Sequence, residues 1–267
     1  MSVCKWSVQV NGYCPYKEMF NMIKNDFGGK ERCEGKACLQ ILLDATGTQS
    51  ELELIKSLNL TDWLKPEGPA NSVKLLNNFN IDKVLKDFSI ASVKNNPGNK
   101  FTNGPFYHVP FDMFDFMKMR NSELRNIDFI KLHDAKFRTF GCVLNTDKWS
   151  GPGKHWVCIF GTIPENLAHA GNNFTGEPVR VEYFNSSGNG LKKYYTLKDW
   201  SDEINKKVAL EIREVNHREI QKSETECGVW CLFYIKSRLE GQTPEFYIDV
   251  YTDTDMINGR KDLFISF

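Results

Sequence analysis

The strongest candidate for a reactive residue is Cys227, which lies in a Glu-Cys-Gly sequence just before a long apolar stretch. The first N–H groups of a helix have no partner within it, and the helix dipole is positive at this end. A thiol at this position is therefore expected to ionise more readily and to act as a nucleophile. A buried cysteine that only begins a helix is also common, so position alone leaves both interpretations open. Cys231, one turn further along, is expected to be an inert core residue.

His155 is the histidine best placed to serve as a base for that thiol. It follows the turn-forming stretch SGPGK and precedes the apolar run WVCIF, which predicts a histidine at the mouth of a strand. Trp156 should then point to the opposite face, because successive side chains alternate along a strand. The other four histidines lie in polar or mixed surroundings. A capped edge residue is the alternative interpretation of His155.

Two amides complete the set. Asn185 ends the next predicted strand, where its side chain could accept the imidazole N–H and fix the orientation of the ring. Gln221 lies six residues before Cys227, and its side chain could donate to an oxyanion together with the Cys227 backbone N–H. Each amide alone could be an ordinary turn or loop residue. Together, in this order, the four residues predict a nucleophilic cysteine site far more strongly than any one of them does.

The elements that must position these residues predict an α+β fold. Four strand-length runs are bounded by turn signals, at 138–147, 155–162, 179–185 and 209–215. Helical spacing is found at 80–88 and again at Trp200, Ile204 and Val208, and the stretch after Cys227 reads as a central buried helix. The aromatic segment 106–119 suggests loops and short helices.

The first part of the chain differs in character. Helix-like spacing at 15–26, 36–45 and 50–58 precedes LKPEGPANS at 64–72, which has the composition of a linker. We therefore expect an N-terminal helical arm over residues 1–70 and a core domain over residues 71–267. Within the core we expect a central mixed sheet and a buried helix that carries the nucleophile.

Composition narrows the class of protein. The chain has 267 residues with 34 basic and 34 acidic side chains, so charge does not indicate nucleic-acid binding. We expect no signal peptide and no transmembrane segment, and we expect the eight cysteines to be reduced thiols. A zinc site would need closely spaced pairs, whereas Cys4 and Cys14 are separated by nine residues and Cys33 and Cys38 by four. No metal or cofactor is therefore predicted, and the oligomeric state stays open.

Several segments together resemble a known family. They are LLNNFNID (75–82), FGCVLNTD (140–147), GKHWV (153–157), EYFNSSGN (182–189), TECG (225–228) and LFYIKSRL (232–239). These segments are similar to the ubiquitin-like-protein protease superfamily, which includes the SUMO-deconjugating and adenovirus proteases. They look closest to its polyprotein-processing members of the African swine fever virus type. The resemblance covers roughly residues 65–267.

The resemblance implies a cysteine endopeptidase with a papain-like, SUMO-protease-like core that cuts viral structural polyproteins after Gly-Gly during virion maturation. It assigns the triad to Cys227, His155 and Asn185 and the oxyanion role to Gln221. Asn145 becomes a candidate cleft residue near the oxyanion. It also implies action in the host cytoplasm and the virion.

Trp156 is a candidate wall of a substrate tunnel too narrow for a Cβ atom. Two alternatives stay open at this point: removal of a ubiquitin-like modifier that ends in Gly-Gly, and a non-catalytic binding module with the same fold.

Overall fold

A mixed β-sheet forms the centre of the fold in the computed structural model, which describes residues 65–93, 101–191 and 195–265. In these ranges the strands are β1 (Phe106–His108), β2 (Asp112–Met113), β3 (Thr139–Asn145), β4 (Trp156–Thr162), β5 (Val179–Phe184) and β6 (Leu210–Glu214). The α-helices are α1 (Asn78–Val93), α2 (Phe129–Asp134), α3 (Tyr195–Ile204), α4 (Cys227–Leu239), α5 (Pro244–Val250) and α6 (Asp253–Leu263). The α+β class predicted from the sequence is confirmed.

The sheet has the strand order β1-β3-β4-β5-β6, and β2 pairs with the far end of β3. The central strands β3, β4 and β5 are antiparallel to one another, whereas β1 and β2 run parallel to β3 and β6 runs parallel to β5. The start of β4 therefore lies at the same edge of the sheet as the ends of β3 and β5. This edge brings His155 and Asn185 together.

Both faces of the sheet are buried, which explains why the strand sequences are almost continuously apolar. On β4, Trp156, Cys158 and Phe160 face one cluster together with α1 and α4. Val157 and Ile159 face a second cluster on the opposite side, which includes Trp200 of α3. The four predicted strands and the predicted helices after residue 72 are confirmed, except that α3 ends at Ile204 and Val208 lies beyond it in a bridge with His169.

The central helix α4 is buried along almost its whole length. Eleven of its thirteen residues are buried, from Cys227 at its first position to Leu239 at its last. The aromatic segment 106–119 contains the short strands β1 and β2 as well as a 3₁₀ turn at Phe116–Lys118. The sequence predicted loops and short helices here and missed these two strands, because strands of only two or three residues show no periodic pattern.

The stretch predicted as a linker packs on the core over its described part. Glu67 pairs with Ile265 in a parallel bridge, and the Gly68 backbone N–H donates to the Ile265 carbonyl at 3.0 Å. A Cβ on Gly68 would lie 2.4 Å from the Phe264 ring, so only glycine permits this contact. The predicted helices at 15–26, 36–45 and 50–58 lie outside the described residues, and the arm stays a prediction.

Four cysteines fall within the described residues, and all four are buried free thiols: Cys142, Cys158, Cys227 and Cys231. The cysteines considered for zinc, at positions 4, 14, 33 and 38, lie outside the described residues. None of the helices that the structure describes combines the length and apolar character needed to cross a membrane.

Candidate active site

Cys227 is the first residue of α4 and is only 3% exposed. Its sulfur lies within hydrogen-bonding reach of the backbone N–H groups of Trp156, Gly228 and Cys227 itself. The Trp156 N–H belongs to the peptide bond that joins His155 to Trp156. The thiol therefore lies beside the residue proposed as its base.

Burial raises the pKa of the Cys227 thiol to about 11, and the N–H groups around the sulfur oppose this rise only in part. This direction is opposite to the one that the helix N-terminus alone predicts. Desolvation dominates because the thiolate would lose water on almost every side. A thiol with this pKa is mostly protonated at neutral pH, and transfer of the proton to a neighbouring base is a route to the thiolate.

The imidazole of His155 is held by Asn185. Nε2 of His155 lies 2.8 Å from Oδ1 of Asn185, which is fully buried at the end of β5. The same oxygen accepts hydrogen bonds from the backbone N–H and the hydroxyl of Ser187, at 3.0 and 2.8 Å. Asn185 is thereby fixed from several sides.

The amide orientation of Asn185 follows from its other partners. Its nitrogen donates to the carbonyl of Asn189 at 3.0 Å and to the hydroxyl of Tyr183 at 3.2 Å. A backbone carbonyl can only accept, so the nitrogen must face Asn189 and the oxygen must face His155. Nε2 of His155 must then carry the proton, and a neutral imidazole keeps its lone pair on Nδ1. Nδ1 is the atom left to take a proton from a thiol.

Gln221 lies in the loop between β6 and α4 and is 8% exposed. Its oxygen accepts a hydrogen bond from the hydroxyl of Ser186 at 2.6 Å, and its nitrogen donates to the carbonyl of Ser223 at 2.6 Å. Ser186 follows Asn185 directly, so the same turn fixes both side-chain amides. An amide nitrogen carries two N–H groups, and Ser223 takes one of them.

The hairpin loop before His155 is built on Asn145 and Asp147. The Asn145 side-chain oxygen accepts the backbone N–H groups of Asp147 and Lys154, both at 3.0 Å. Gly153 has a φ of 91°, a conformation that glycine adopts at little cost. Asn145 thus fixes the turn that leads into His155, and its role as a substrate contact stays a prediction.

Trp156 is 8% exposed, and its ring is locked in place. The indole N–H donates to the Leu76 carbonyl at 3.0 Å, and the ring packs edge-on against Phe111. A Cβ added to Gly228 would lie 3.2 Å from both the Trp156 ring and Leu76. Gly228 therefore admits the close approach of α4 to Trp156, and the expected tunnel wall at Trp156 stays a prediction.

Sequence reasoning missed the ion pair beneath the nucleophile. Glu226, directly before Cys227, is fully buried and makes two parallel hydrogen bonds with the guanidinium of Arg260, at 2.8 and 2.9 Å. Arg260 also donates to the Lys74 carbonyl at 2.7 Å. The only sign of this pair is that both charges are buried, which is a property of the folded chain. No local sequence motif indicates it. No group of three or more potential metal ligands occurs among the described residues.

No protein-family model matches the chain. It is 32% identical to the SUMO-1 cysteine protease S273R of African swine fever virus, over 87% of this chain and 83% of that protein. The cysteine protease S273R of the Badajoz strain of the same virus shows the same identity and the same coverage.

The same relationship appears in three dimensions. The crystal structure of the African swine fever virus pS273R protease superposes with a TM-score of 0.64 and 27% identity, and the match covers all of this chain and 96% of the other. Identity of this size over most of both chains accompanies a shared fold. The chain therefore belongs to the SUMO-protease-like family of viral cysteine proteases that includes the African swine fever virus enzyme.

Proposed function

We propose that the chain is an endopeptidase that cleaves viral structural polyproteins after Gly-Gly, with Cys227 as nucleophile, His155 as base and Asn185 as orienting residue. The observation that carries the proposal is the fixed imidazole. The hydrogen bond from Nε2 to Asn185 leaves Nδ1 as the basic atom, and the Cys227 sulfur lies beside the adjoining Trp156 N–H. The family membership supports the same reaction.

The reaction proceeds by acyl transfer. His155 Nδ1 takes the thiol proton as the Cys227 sulfur attacks the scissile carbonyl carbon. The resulting oxyanion accepts hydrogen bonds from the Cys227 backbone N–H and the second N–H of Gln221. His155 then passes its proton to the leaving amine as the C–N bond breaks. The acyl group stays on Cys227 as a thioester.

Deacylation uses the same groups. His155 accepts a proton from a water molecule, the resulting hydroxide attacks the thioester, and the acid product leaves as the thiol is restored. Asn185 keeps the ring oriented through both half-reactions, and an amide suffices because the thiol–imidazole pair needs orientation more than charge. No cofactor takes part in these steps.

Preference for Gly-Gly is supported by the rigid surroundings of the nucleophile. The Trp156 ring is fixed by Leu76 and packs against the first turn of α4. In this proposal an acyl strand approaches Cys227 past this ring, where a fixed wall would exclude side chains. Asn145, at the end of β3, is proposed as a further cleft residue. Action at viral assembly sites in the host cytoplasm and in the virion is part of the same proposal.

The specificity test compares decapeptides that carry Gly-Gly, Gly-Ala or Ala-Gly before the scissile bond. We expect kcat/KM to fall at least about 100-fold when either glycine gains a methyl group, since a clash in a closed site is felt fully in the transition state. Equal cleavage of the three peptides would contradict the Gly-Gly proposal. Cleavage of a folded modifier conjugate far above that of the Gly-Gly peptide would instead favour the deconjugation alternative.

A further inference from the structure

The loop that carries Gln221 is anchored by a residue from a different part of the chain. We propose that Asp253, the first residue of α6, is a positioning residue that holds the segment 221–226, here termed the oxyanion loop, in its catalytic conformation. The inference rests on the proposed oxyanion role of Gln221. It assigns a specific task to the C-terminal helix.

The contacts of Asp253 join the oxyanion loop to the nucleophile helix. One carboxylate oxygen accepts the backbone N–H groups of Lys222 and Ser223, at 2.6 and 2.7 Å. The other oxygen accepts the indole N–H of Trp230 at 2.8 Å. Trp230 lies one turn after Cys227 in α4. A single side chain therefore ties the loop to the helix that carries the thiol.

The anchored backbone in turn orients the Gln221 amide. Ser223, whose N–H is bound by Asp253, offers its carbonyl to the Gln221 nitrogen at 2.6 Å. On the other side, Ser186 donates to the Gln221 oxygen at 2.6 Å. These two contacts determine the orientation of the amide. If the backbone at Ser223 shifted, the donor intended for the oxyanion would shift with it.

The loop lacks a comparable anchor of its own at this point. The hydroxyl of Ser223 is buried and has no hydrogen-bond partner among the described residues. The local conformation of the backbone at Lys222 and Ser223 is therefore not held by the Ser223 side chain. The Asp253 carboxylate accepts both of these backbone N–H groups, and its charge strengthens each of its three hydrogen bonds.

The three donors require a group with acceptors at both ends. An asparagine in place of Asp253 offers one oxygen and one NH₂ group. Whichever way the amide turns, a donor faces either the two backbone N–H groups or the Trp230 indole. In either orientation the tie between the oxyanion loop and α4 is broken, so Asp253→Asn disturbs the position of Gln221 relative to Cys227 while it keeps the size of the side chain.

The test compares Asp253→Asn with Asp255→Asn, the same substitution two residues further along α6. Asp255 caps the helix with one carboxylate oxygen, which accepts from the Thr252 backbone N–H and hydroxyl at 2.8 and 2.6 Å. An asparagine oxygen can accept both, so Asp255→Asn makes the same change of charge in the first turn of α6 and keeps the local contacts. We expect Asp253→Asn to lower kcat for a Gly-Gly peptide about 10- to 100-fold with KM changed less than about threefold. Asp255→Asn should keep kcat within about twofold of wild type.

Alkylation of Cys227 by iodoacetamide provides the readout that a general loss of structure would not reproduce. This reaction forms no oxyanion, so its rate in Asp253→Asn should stay within about twofold of wild type while kcat falls. A kcat near wild type in Asp253→Asn, an equal fall of kcat in Asp255→Asn, or a fall of alkylation in step with kcat would each overturn the inference.

Gln221→Ala, measured alongside, separates this inference from the proposed function. If Gln221→Ala loses activity and Asp253→Asn does not, only the positioning role of Asp253 is wrong. If Gln221→Ala keeps full kcat, the proposed oxyanion role itself is wrong, and the positioning role is overturned with it.

Discussion

The hydrogen bond between His155 and Asn185 determines which imidazole nitrogen carries the proton. Asn185 is fully buried and its oxygen also accepts two hydrogen bonds from Ser187. Its nitrogen is held by the Asn189 carbonyl. The amide cannot turn over without placing a donor against a donor, so the tautomer of His155 is set by the protein.

Asn185→Ala tests this orienting role. Loss of the amide frees the ring to rotate and to change its tautomer, so we expect kcat to fall about 10- to 100-fold with little change in KM. The measurement is steady-state cleavage of a Gly-Gly peptide. Asn189→Ala serves as the control, since it keeps the backbone carbonyl that holds Asn185 and should retain kcat within about twofold. Equal losses in both variants would contradict the orienting role.

The pH dependence of Cys227 alkylation tests the electrostatics of the thiol. Burial raises the pKa of Cys227 to about 11, and only the thiolate reacts with iodoacetamide. In His155→Ala, which removes the base, the alkylation rate should rise with pH from 7 to 10 without a plateau. Wild type should react faster at neutral pH, because His155 takes the proton. A plateau below pH 8 in His155→Ala would show that the helix N-terminus, and not burial, dominates.

The site residues could be proposed from the sequence because three of them lie next to clear elements. His155 and Asn185 flank strands, and Cys227 begins a helix. Ser187 and Asp253 could not be found in this way. Their importance comes from hydrogen bonds to backbone groups and amides, which any polar residue in a loop could make. The pKa direction of Cys227 was also not predictable, since it depends on how completely the folded chain excludes water.

At the scale of the elements, α6 holds the first turn of α4 through a buried ion pair. Arg260 is 1% exposed and Glu226 is fully buried. The cost of removing these two charged groups from water is offset by their two parallel hydrogen bonds and by the hydrogen bond from Arg260 to the Lys74 carbonyl at 2.7 Å. The pair therefore joins the nucleophile turn, the C-terminal helix and the segment before α1.

Arg260→Met tests the weight of this pair. The substitution leaves Glu226 as an unpaired buried carboxylate, so the free energy of unfolding should fall by about 3–5 kcal/mol. Urea unfolding measures the change. Arg218→Met is the matched control, since Arg218 forms an exposed ion pair with Asp249 at 2.6 Å, and its loss should cost less than about 1 kcal/mol. Similar costs in the two variants would mean that the buried pair contributes no more than a surface pair.

The strands and the central helix were predictable because their apolar runs are long. Strands β3 to β6 each contain five to seven residues with turn signals at their ends. The strands β1 and β2 contain three and two residues. They exist because β3 offers an edge with which they can pair, which is a tertiary effect that a sequence window does not contain.

At the scale of the whole molecule, two segments far apart in the sequence, 65–68 and 261–265, pack against each other. The segment that begins at Lys65 lies against the end of α6, where the Lys65 ammonium donates to the Lys261 carbonyl at 3.0 Å. Phe264 is 1% exposed and its ring covers Gly68. The composition of residues 64–72 suggests a linker. Proline, glycine and small polar residues are equally compatible with an extended segment that packs on a core, so composition does not distinguish the two.

Phe264→Ala tests whether this packing stabilises the fold. The variant removes a buried ring and leaves a cavity, so the free energy of unfolding should fall by about 3–5 kcal/mol. Phe79→Ala is the control, because that ring is 68% exposed and its loss should change stability by less than about 0.5 kcal/mol. Chemical denaturation compares the two. A cost below about 1 kcal/mol for Phe264→Ala would show that the contact between Gly68 and Phe264 forms without stabilising the core.

Cleavage of a Gly-Gly peptide by Cys227→Ala and by Cys231→Ala tests the central claim most directly. Both cysteines are buried free thiols one turn apart in α4, and burial raises the pKa of Cys231 well above its ordinary value. Cys227→Ala should lose at least about 10⁴-fold in kcat with its circular dichroism spectrum unchanged, and Cys231→Ala should keep kcat within about threefold. Full activity in Cys227→Ala, or its loss in a folded Cys231→Ala, would contradict the account.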